Sequence, residues 1–281
     1  MSAKIVDGKL VSQILREKMK SRVEELAKRD IKPGLAVILV GDDAASQVYV
    51  RNKVAACKAI GVHSRVYRLA ADTPEQKVLE ELKLLNNDSE INGILVQLPL
   101  PKHIDEDKIL ETILPEKDVD GFHKINVGAM VIGRARFYPC TPHGVMKLLE
   151  YYGIAIEGRH AVVVGRSNIV GKPMALMLLE KGATVSICNS KTPDLASFTR
   201  QADIVVVAVG KSKVLSGDMI KPGATVIDVG INRLPDGSLT GDVDFESVRE
   251  VAGFLTPVPG GVGPMTITML LENTIRSSEM V

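Results

Sequence analysis

Ala161-Val162-Val163-Val164 runs directly into Gly165-Arg166-Ser167-Asn168-Ile169-Val170-Gly171-Lys172-Pro173, and the apolar stretch Met174–Leu179 follows. A short apolar, β-branched run reads as a buried strand, and the stretch after the turn reads as a helix. A glycine-bearing turn between strand and helix brings backbone N–H groups close to a pyrophosphate, and the helix N-terminus adds positive potential. The spacing is not GxGxxG: Ser167 takes the place of the second glycine, and the last glycine comes one residue late. A strand–turn–helix in any α/β sheet has the same local pattern, so the surroundings must decide.

Working outward, the pattern repeats. Strands are expected at Ala161–Val164, Thr184–Cys188, Ile204–Val207 and Thr225–Asp228, with a helix over Pro173–Lys181 and a small hairpin turning at Pro235-Asp236-Gly237. Upstream, Leu35–Val40 is continuously apolar, as in a strand buried on both faces. Ser64–Leu69 and Ile91–Leu98 follow as further strands. Ser46–Ile60 reads as a helix capped by Ser46 and stopped by Gly61. Thr73-Pro74-Glu75-Gln76 reads as a capping box opening another, and Asp105–Ile113 as a short third. Leu114–Pro142 is rich in glycine and proline and reads as loop. Helices then resume over Thr141–Tyr152 and finally Met265–Arg276. Alternating strands and helices predict an α/β protein with parallel sheets.

The end of the second strand in the later series bears on the nucleotide. An NAD enzyme usually places a carboxylate there for the ribose hydroxyls. Here the chain reads Cys188-Asn189-Ser190-Lys191-Thr192, with Arg166 back in the first turn. A carboxylate repels a 2′-phosphate, whereas Arg and hydroxyl donors bind it, so NADP is expected over NAD. Lys191 reads equally well as part of a solvated loop.

The chain has 281 residues and a formal net charge of +1, with 45% hydrophobic and 25% charged residues. Length favours two domains, and near-neutral charge gives no electrostatic case for nucleic acid or a membrane surface as partner. Cys57, Cys140 and Cys188 are far apart, with no metal-ligand spacing, so no metal site is expected. The absence of a disulfide framework, a signal-like N-terminus or a bilayer-length apolar run leads to the expectation of a cytoplasmic protein. None of the five histidines shows metal spacing, and Cys140 reads as structural.

Three further elements carry chemistry. Tyr49 and Lys53 lie four residues apart on one helix face: an aromatic ring that can stack on a flat heterocycle, beside an amine that can move a proton. A surface pair has the same spacing. Gln97 sits at the carboxyl end of a strand, where α/β sites form, and serves there or caps a loop. Asp120, before Gly121, is an acid able to accept from a ring's donor edge, or simply a turn residue.

Together these segments resemble the methylenetetrahydrofolate dehydrogenase/methenyltetrahydrofolate cyclohydrolase family. The matching stretches, in the family's order, are Tyr49–Lys53 (YVRNK), Gly93–Pro101 (GILVQLPLP), Lys117–Phe122 (KDVDGF), Pro139–Gly144 (PCTPHG), Gly165–Pro173 (GRSNIVGKP) and Thr256–Thr266 (TPVPGGVGPMT). The resemblance implies two α/β domains around a cleft: residues 1–140 plus 264–281 binding folate, and residues 141–263 forming a Rossmann-like NADP domain, with the C-terminal helix returning to the first. It implies that Tyr49 stacks on the pterin, Lys53 is catalytic, Gln97 tunes it, and Asp120 anchors the pterin's donors. Gly165, Arg166, Ser167, Gly171, Ser190 and Ile231 would contact NADP, and Pro257, Gly260 and Gly261 the folate and nicotinamide. A homodimer acting in one-carbon metabolism is implied as well. Asn189 departs from the family, which commonly has His there. The rival readings are a dehydrogenase lacking cyclohydrolase activity, a shikimate-type two-domain dehydrogenase, and a non-catalytic binding module.

Overall fold

The computed structural model describes residues 2–280. The chain opens with β1 (Lys4–Ile5) and α1 (Gly8–Ala27). It continues through β2 (Gly34–Val40), α2 (Ala44–Ile60), β3 (His63–Leu69), α3 (Glu75–Asn87), β4 (Gly93–Val96), α4 (Glu106–Thr112) and α5 (Lys124–Val131). After α6 (Cys140–Tyr151) come β5 (His160–Val164), α7 (Gly171–Glu180), β6 (Thr184–Cys188), α8 (Leu195–Thr199), β7 (Ile204–Val207) and β8 (Thr225–Asp228). The hairpin strands β9 (Asn232–Arg233) and β10 (Leu239–Thr240), α9 (Phe245–Arg249), β11 (Phe254–Leu255) and α10 (Val262–Glu279) complete it. Among the described residues no helix is long and apolar enough to cross a membrane.

Two compact units result. One comprises Ile14–Cys140 with residues 267–280, the other residues 2–13 with Thr141–Thr266. Residues 2–13 therefore part from the residues 1–140 grouping expected above, and the later boundary falls after Thr266 rather than residue 263. The reason is hydrogen bonding: β1 pairs in parallel with β11, Ile5 opposite Leu255, and extends the larger sheet. A two-residue strand carries too little periodicity to be seen in sequence.

Ranked by sheet size, the smaller unit (Ile14–Cys140 with residues 267–280) holds a three-stranded parallel sheet, β3-β2-β4. All seven residues of β2 are buried because helices cover both faces of a parallel strand. Ala36, Ile38, Ile94 and Val96 pack with Val78, Leu82 and Leu85 of α3 and Ile109 of α4. Most of α10 belongs to this unit, as the returning helix anticipated.

The larger unit by that measure (residues 2–13 with Thr141–Thr266) holds a six-stranded parallel sheet in the order β1-β11-β8-β7-β5-β6. Val162, Val164, Val205, Val207, Val226 and Leu255 form one core layer with Leu215 and Val243. The register places Val164 opposite Cys188 and Val207, and Val207 opposite Asp228. All four strands thus end on one line.

Several local expectations change. Asp43, not Ser46, caps α2, accepting the Ser46 N–H at 2.8 Å, and Ser46 lies inside the helix. No capping box forms at α3: Thr73 stays outside, its N–H bonded to the Ala70 carbonyl, and Gln76 bonds to Glu80 instead. α5 lies within the stretch expected to be loop; its apolar residues show no helical periodicity, and His123 Nδ1 caps it by accepting the Ile125 N–H at 3.1 Å. The hairpin forms where expected, Asn232 opposite Thr240.

Burial predicts which substitutions hurt. Leu82 is fully buried while Leu84, two residues away on α3, is 67% exposed. Leu82→Ala should cost about 2–5 kcal/mol in urea-unfolding stability. Leu84→Ala should stay within about 0.5 kcal/mol. Equal losses at both positions would contradict the placement of α3.

Candidate functional site

In the smaller unit, the Ile38–Val96 register puts Gln97 one residue beyond β4, its backbone N–H bonded to the Ile38 carbonyl at 2.9 Å. Gln97 is only 9% exposed, so both ends of its amide need partners. Its Nε2 donates to the Leu98 carbonyl at 2.7 Å. That fixes the amide orientation and presents Oε1 to Lys53, whose Nζ donates to it at 3.0 Å. Lys53 is half-buried. Tyr49, one helical turn earlier on α2, is 39% exposed, leaving ring surface free to meet a flat ligand.

Asp120 joins them electrostatically. Its carboxyl is pushed up to about 6, first by desolvation; the Lys53 ammonium opposes the rise and the nearby Asp118 charge adds to it. The Cys140 thiol lies beside Asp120 and also donates to the Val119 carbonyl at 3.3 Å. Burial and the Asp120 charge raise the Cys140 thiol pKa well above its usual value.

Asp118, not Asp120, makes the turn. It accepts the backbone N–H groups of Gly121 at 3.1 Å, Phe122 at 3.3 Å and His123 at 2.8 Å, and Asn126 Nδ2 at 2.8 Å. With turn-making assigned to Asp118, Asp120 is not needed for that role. Asn273 on α10 donates to the Val119 carbonyl at 2.8 Å and the Tyr138 carbonyl at 3.1 Å, pinning the segments that carry Asp120 and Cys140. Sequence reasoning missed Asp118, Cys140 and Asn273 as parts of this cluster. The available signal was Asn273 set among the apolar residues Met269, Leu270, Leu271 and Ile275 of α10.

In the larger unit, the aligned strand ends release the Gly165–Gly171 turn, the Asn189–Thr192 turn and the residues after β7 and β8 from one edge of the sheet. A Cβ at Gly165 would run into the Ala208 carbonyl, and one at Gly171 into the Gly165 backbone. Gly165 also has φ +135°, open to glycine alone at low cost. The Ser167 hydroxyl accepts the N–H groups of Val170 at 3.2 Å and Gly171 at 3.3 Å, closing the turn ahead of α7. A serine therefore organises the loop at the place of the motif's second glycine. Arg166 and Ser190 are both exposed, at the ends of neighbouring strands joined by the Gly165 N–H to Cys188 carbonyl bond. Asn189 Oδ1 accepts the Lys191 N–H at 3.0 Å, leaving the donor half of its amide for other partners.

Farther along this edge, Ile231 is exposed. Gly260 and Gly261 are buried, and Pro257 is half-buried. The Gly260 carbonyl accepts the Lys9 N–H at 3.1 Å, so the N-terminal segment supports this loop. The structure thus assembles Tyr49, Lys53, Gln97 and Asp120 in one unit. In the other it assembles Gly165, Arg166, Ser167, Gly171 and Ser190, with Ile231 and the Pro257–Gly261 loop.

Comparison with known proteins agrees in both halves. Residues 6–120 match the tetrahydrofolate dehydrogenase/cyclohydrolase catalytic domain, and residues 139–281 match the NAD(P)-binding domain of the same family. A bifunctional protein FolD from Nitrosomonas eutropha is 61% identical over 279 residues, covering 99% of this chain and 95% of that one. The crystal structure of the Campylobacter jejuni bifunctional methylenetetrahydrofolate dehydrogenase/cyclohydrolase is 53% identical with a TM-score of 0.98, covering 99% of each chain. The Trypanosoma brucei enzyme, solved with NADP cofactor and an inhibitor, is 39% identical with a TM-score of 0.96, covering 100% of this chain and 98% of that one. The chain therefore belongs to the tetrahydrofolate dehydrogenase/cyclohydrolase family.

Proposed function

We propose that this protein oxidises 5,10-methylenetetrahydrofolate to 5,10-methenyltetrahydrofolate with NADP and hydrolyses the product to 10-formyltetrahydrofolate. The observation that carries the reading is the Lys53–Gln97 hydrogen bond at the carboxyl end of a parallel strand, one helical turn from the exposed Tyr49 ring. Family matches across both halves of the chain, and relatives named for both activities, disfavour the monofunctional, shikimate-type and non-catalytic alternatives.

Tyr49 offers a face to the pterin, and Asp120 accepts from its amino and ring N–H donors. These contacts orient the bridge carbon, since hydride transfer depends mainly on holding two flat molecules in register. NADP, when bound, supplies the hydride acceptor. The glycines at 165 and 171 leave room for backbone approach to its pyrophosphate, and Arg166 and Ser190 suit its 2′-phosphate. Asn189 offers an amide donor rather than a charge. Pro257, Gly260 and Gly261 border folate and nicotinamide, and Ile231 packs against the cofactor.

For hydrolysis, water adds to the methenyl carbon, the bond to one ring nitrogen breaks, and one proton is released overall. Lys53 moves that proton, held in line by a neutral amide that orients it without adding charge. The NADP-bound Trypanosoma brucei relative supports the cofactor assignment. The same reading takes the enzyme as cytoplasmic and, as the family resemblance implies, a homodimer.

Lys53→Gln should remove cyclohydrolase activity while NADP binding and folding persist; hydrolysis of methenyltetrahydrofolate above the uncatalysed rate would take Lys53 out of the mechanism. Arg166→Ala should raise the KM for NADP about tenfold or more, the loss of a charge-assisted contact, and leave the KM for NAD nearly unchanged. An unaltered NADP/NAD ratio would reject that role. Asp120 has a third signature. Raised from 3.8 to about 6, its ionised form opposes folding above pH 6, and the penalty vanishes below about pH 4. Asp120→Asn should therefore be the more stable protein at pH 7.5, by up to about 3 kcal/mol, with the gap closing as pH falls from 6 to 4. A gap independent of pH would contradict this environment for Asp120.

A further inference from the structure

Two carboxylates inside the larger unit are used neither by the strand pattern nor by the Gly165–Gly171 turn. Asp228 ends β8. Its Oδ1 accepts the N–H groups of Gly230 at 3.0 Å and Asp242 at 2.9 Å, and its Oδ2 accepts the Val243 N–H at 3.0 Å. The Asp228 N–H donates to Thr256 Oγ1 at 2.7 Å, tying in the segment after β11. Asp242, fully buried, accepts the N–H groups of Val209 at 2.7 Å and Gly210 at 2.9 Å on Oδ2, and Asn232 Nδ2 at 2.9 Å on Oδ1.

Glycines interlock the pair. A Cβ at Gly241 would enter the Asp228 carboxylate, and a Cβ at Gly230 would enter that of Asp242. A buried charge is tolerated only when its acceptors are filled, and here backbone donors from separate loops fill them. The loops so held follow β7 and β8, on the edge that also releases the Gly165 turn. Each presents an exposed apolar side chain, Val209 at 38% and Ile231 at 43%. Exposed aliphatics on rigid loops beside a phosphate-cradling turn are suited to the flat, partly apolar faces of a dinucleotide.

We propose that Asp242, backed by Asp228, is a positioning residue for the dinucleotide: it clamps Val209–Gly210 and Asn232 so that Val209 and Ile231 form preset walls for the cofactor. This rests on the reading of that edge as the NADP site. Asp242 touches no reacting atom; it acts by removing the ordering cost that loose loops would impose on binding.

The test is D242N. Its amide retains the volume and one oxygen for Val209 and Gly210 but turns an NH2 toward the donor Nδ2 of Asn232. The Kd for NADP, titrated directly, should weaken about tenfold, equivalent to about 1.4 kcal/mol. The dehydrogenase KM for NADP should rise in parallel, with kcat within about threefold, as expected when binding rather than transition-state stabilisation is lost. Cyclohydrolase activity, assayed on methenyltetrahydrofolate without dinucleotide, should hold. The exchange variant N232D/D242N restores an acid–amide pair and should recover most of the affinity. Should D242N fail to fold, N232A, which deletes the donor and keeps the carboxylate, carries the same test with a smaller loss. Unchanged NADP affinity in the variants, or a parallel loss of cyclohydrolase activity, overturns the inference. A wild-type protein that does not bind NADP overturns the underlying site reading as well.

Discussion

The hydrogen-bonded register of the parallel strands is the constraint on which the larger unit depends. Because β5, β6, β7 and β8 pair with Val164, Cys188, Val207 and Asp228 in line, every segment leaving the sheet at its carboxyl edge starts from the same level. A one-residue slip would exchange the two faces of a strand, and both faces of β5, β7 and β8 are buried against packed valines, isoleucines and leucines. The register is therefore rigid, and the turns inherit that rigidity. The same logic operates in the smaller unit, where pairing of β4 with β2 sets Gln97 just beyond the strand end and aims its amide at Lys53.

A second theme is how the protein handles buried acids. Asp118, Asp228 and Asp242 each collect several donors, mostly backbone N–H groups of nearby loops. Each converts the cost of desolvating a carboxylate into a fixed loop shape. Asp120 has a different environment. Burial raises the pKa of its carboxyl, against the pull of the Lys53 charge and the hydrogen bond with the Cys140 thiol. An acid whose turn-making work is done by its neighbour two residues earlier is free to meet a ligand. The Asp-x-Asp-Gly sequence thus divides into a structural acid and the acid proposed to bind substrate.

Much of the architecture was legible from the chain alone. Thr184–Cys188, Ile204–Val207 and Thr225–Asp228 have the observed bounds because short β-branched runs between turn residues have few alternatives. Helix ends were less legible. At α2 and α3 the residues with the right side chains, Ser46 and Thr73, are displaced by Asp43 and by a proline whose position is set by the preceding loop. The α5 helix was hidden because its apolar residues do not segregate to one face, and it is held by Asp118 and His123 rather than by an amphipathic stripe.

Local periodicity and backbone sterics, acting over a few residues, are enough to set the alternation of strands and helices, the glycine-bearing turn after β5, and the one-turn spacing of Tyr49 and Lys53. Long-range packing, by contrast, settles that β1 completes the six-stranded sheet, that Asn273 pins the loop carrying Asp120, that Lys53 meets Gln97, and that Asp228 and Asp242 lock the loops at the sheet edge. Those pairings join residues far apart in the chain, Val119 and Asn273 by 154 positions and Lys4 and Phe254 by 250. Between such positions the chain has no local preference to read; the partners meet because buried polar groups must find one another once the apolar core has closed.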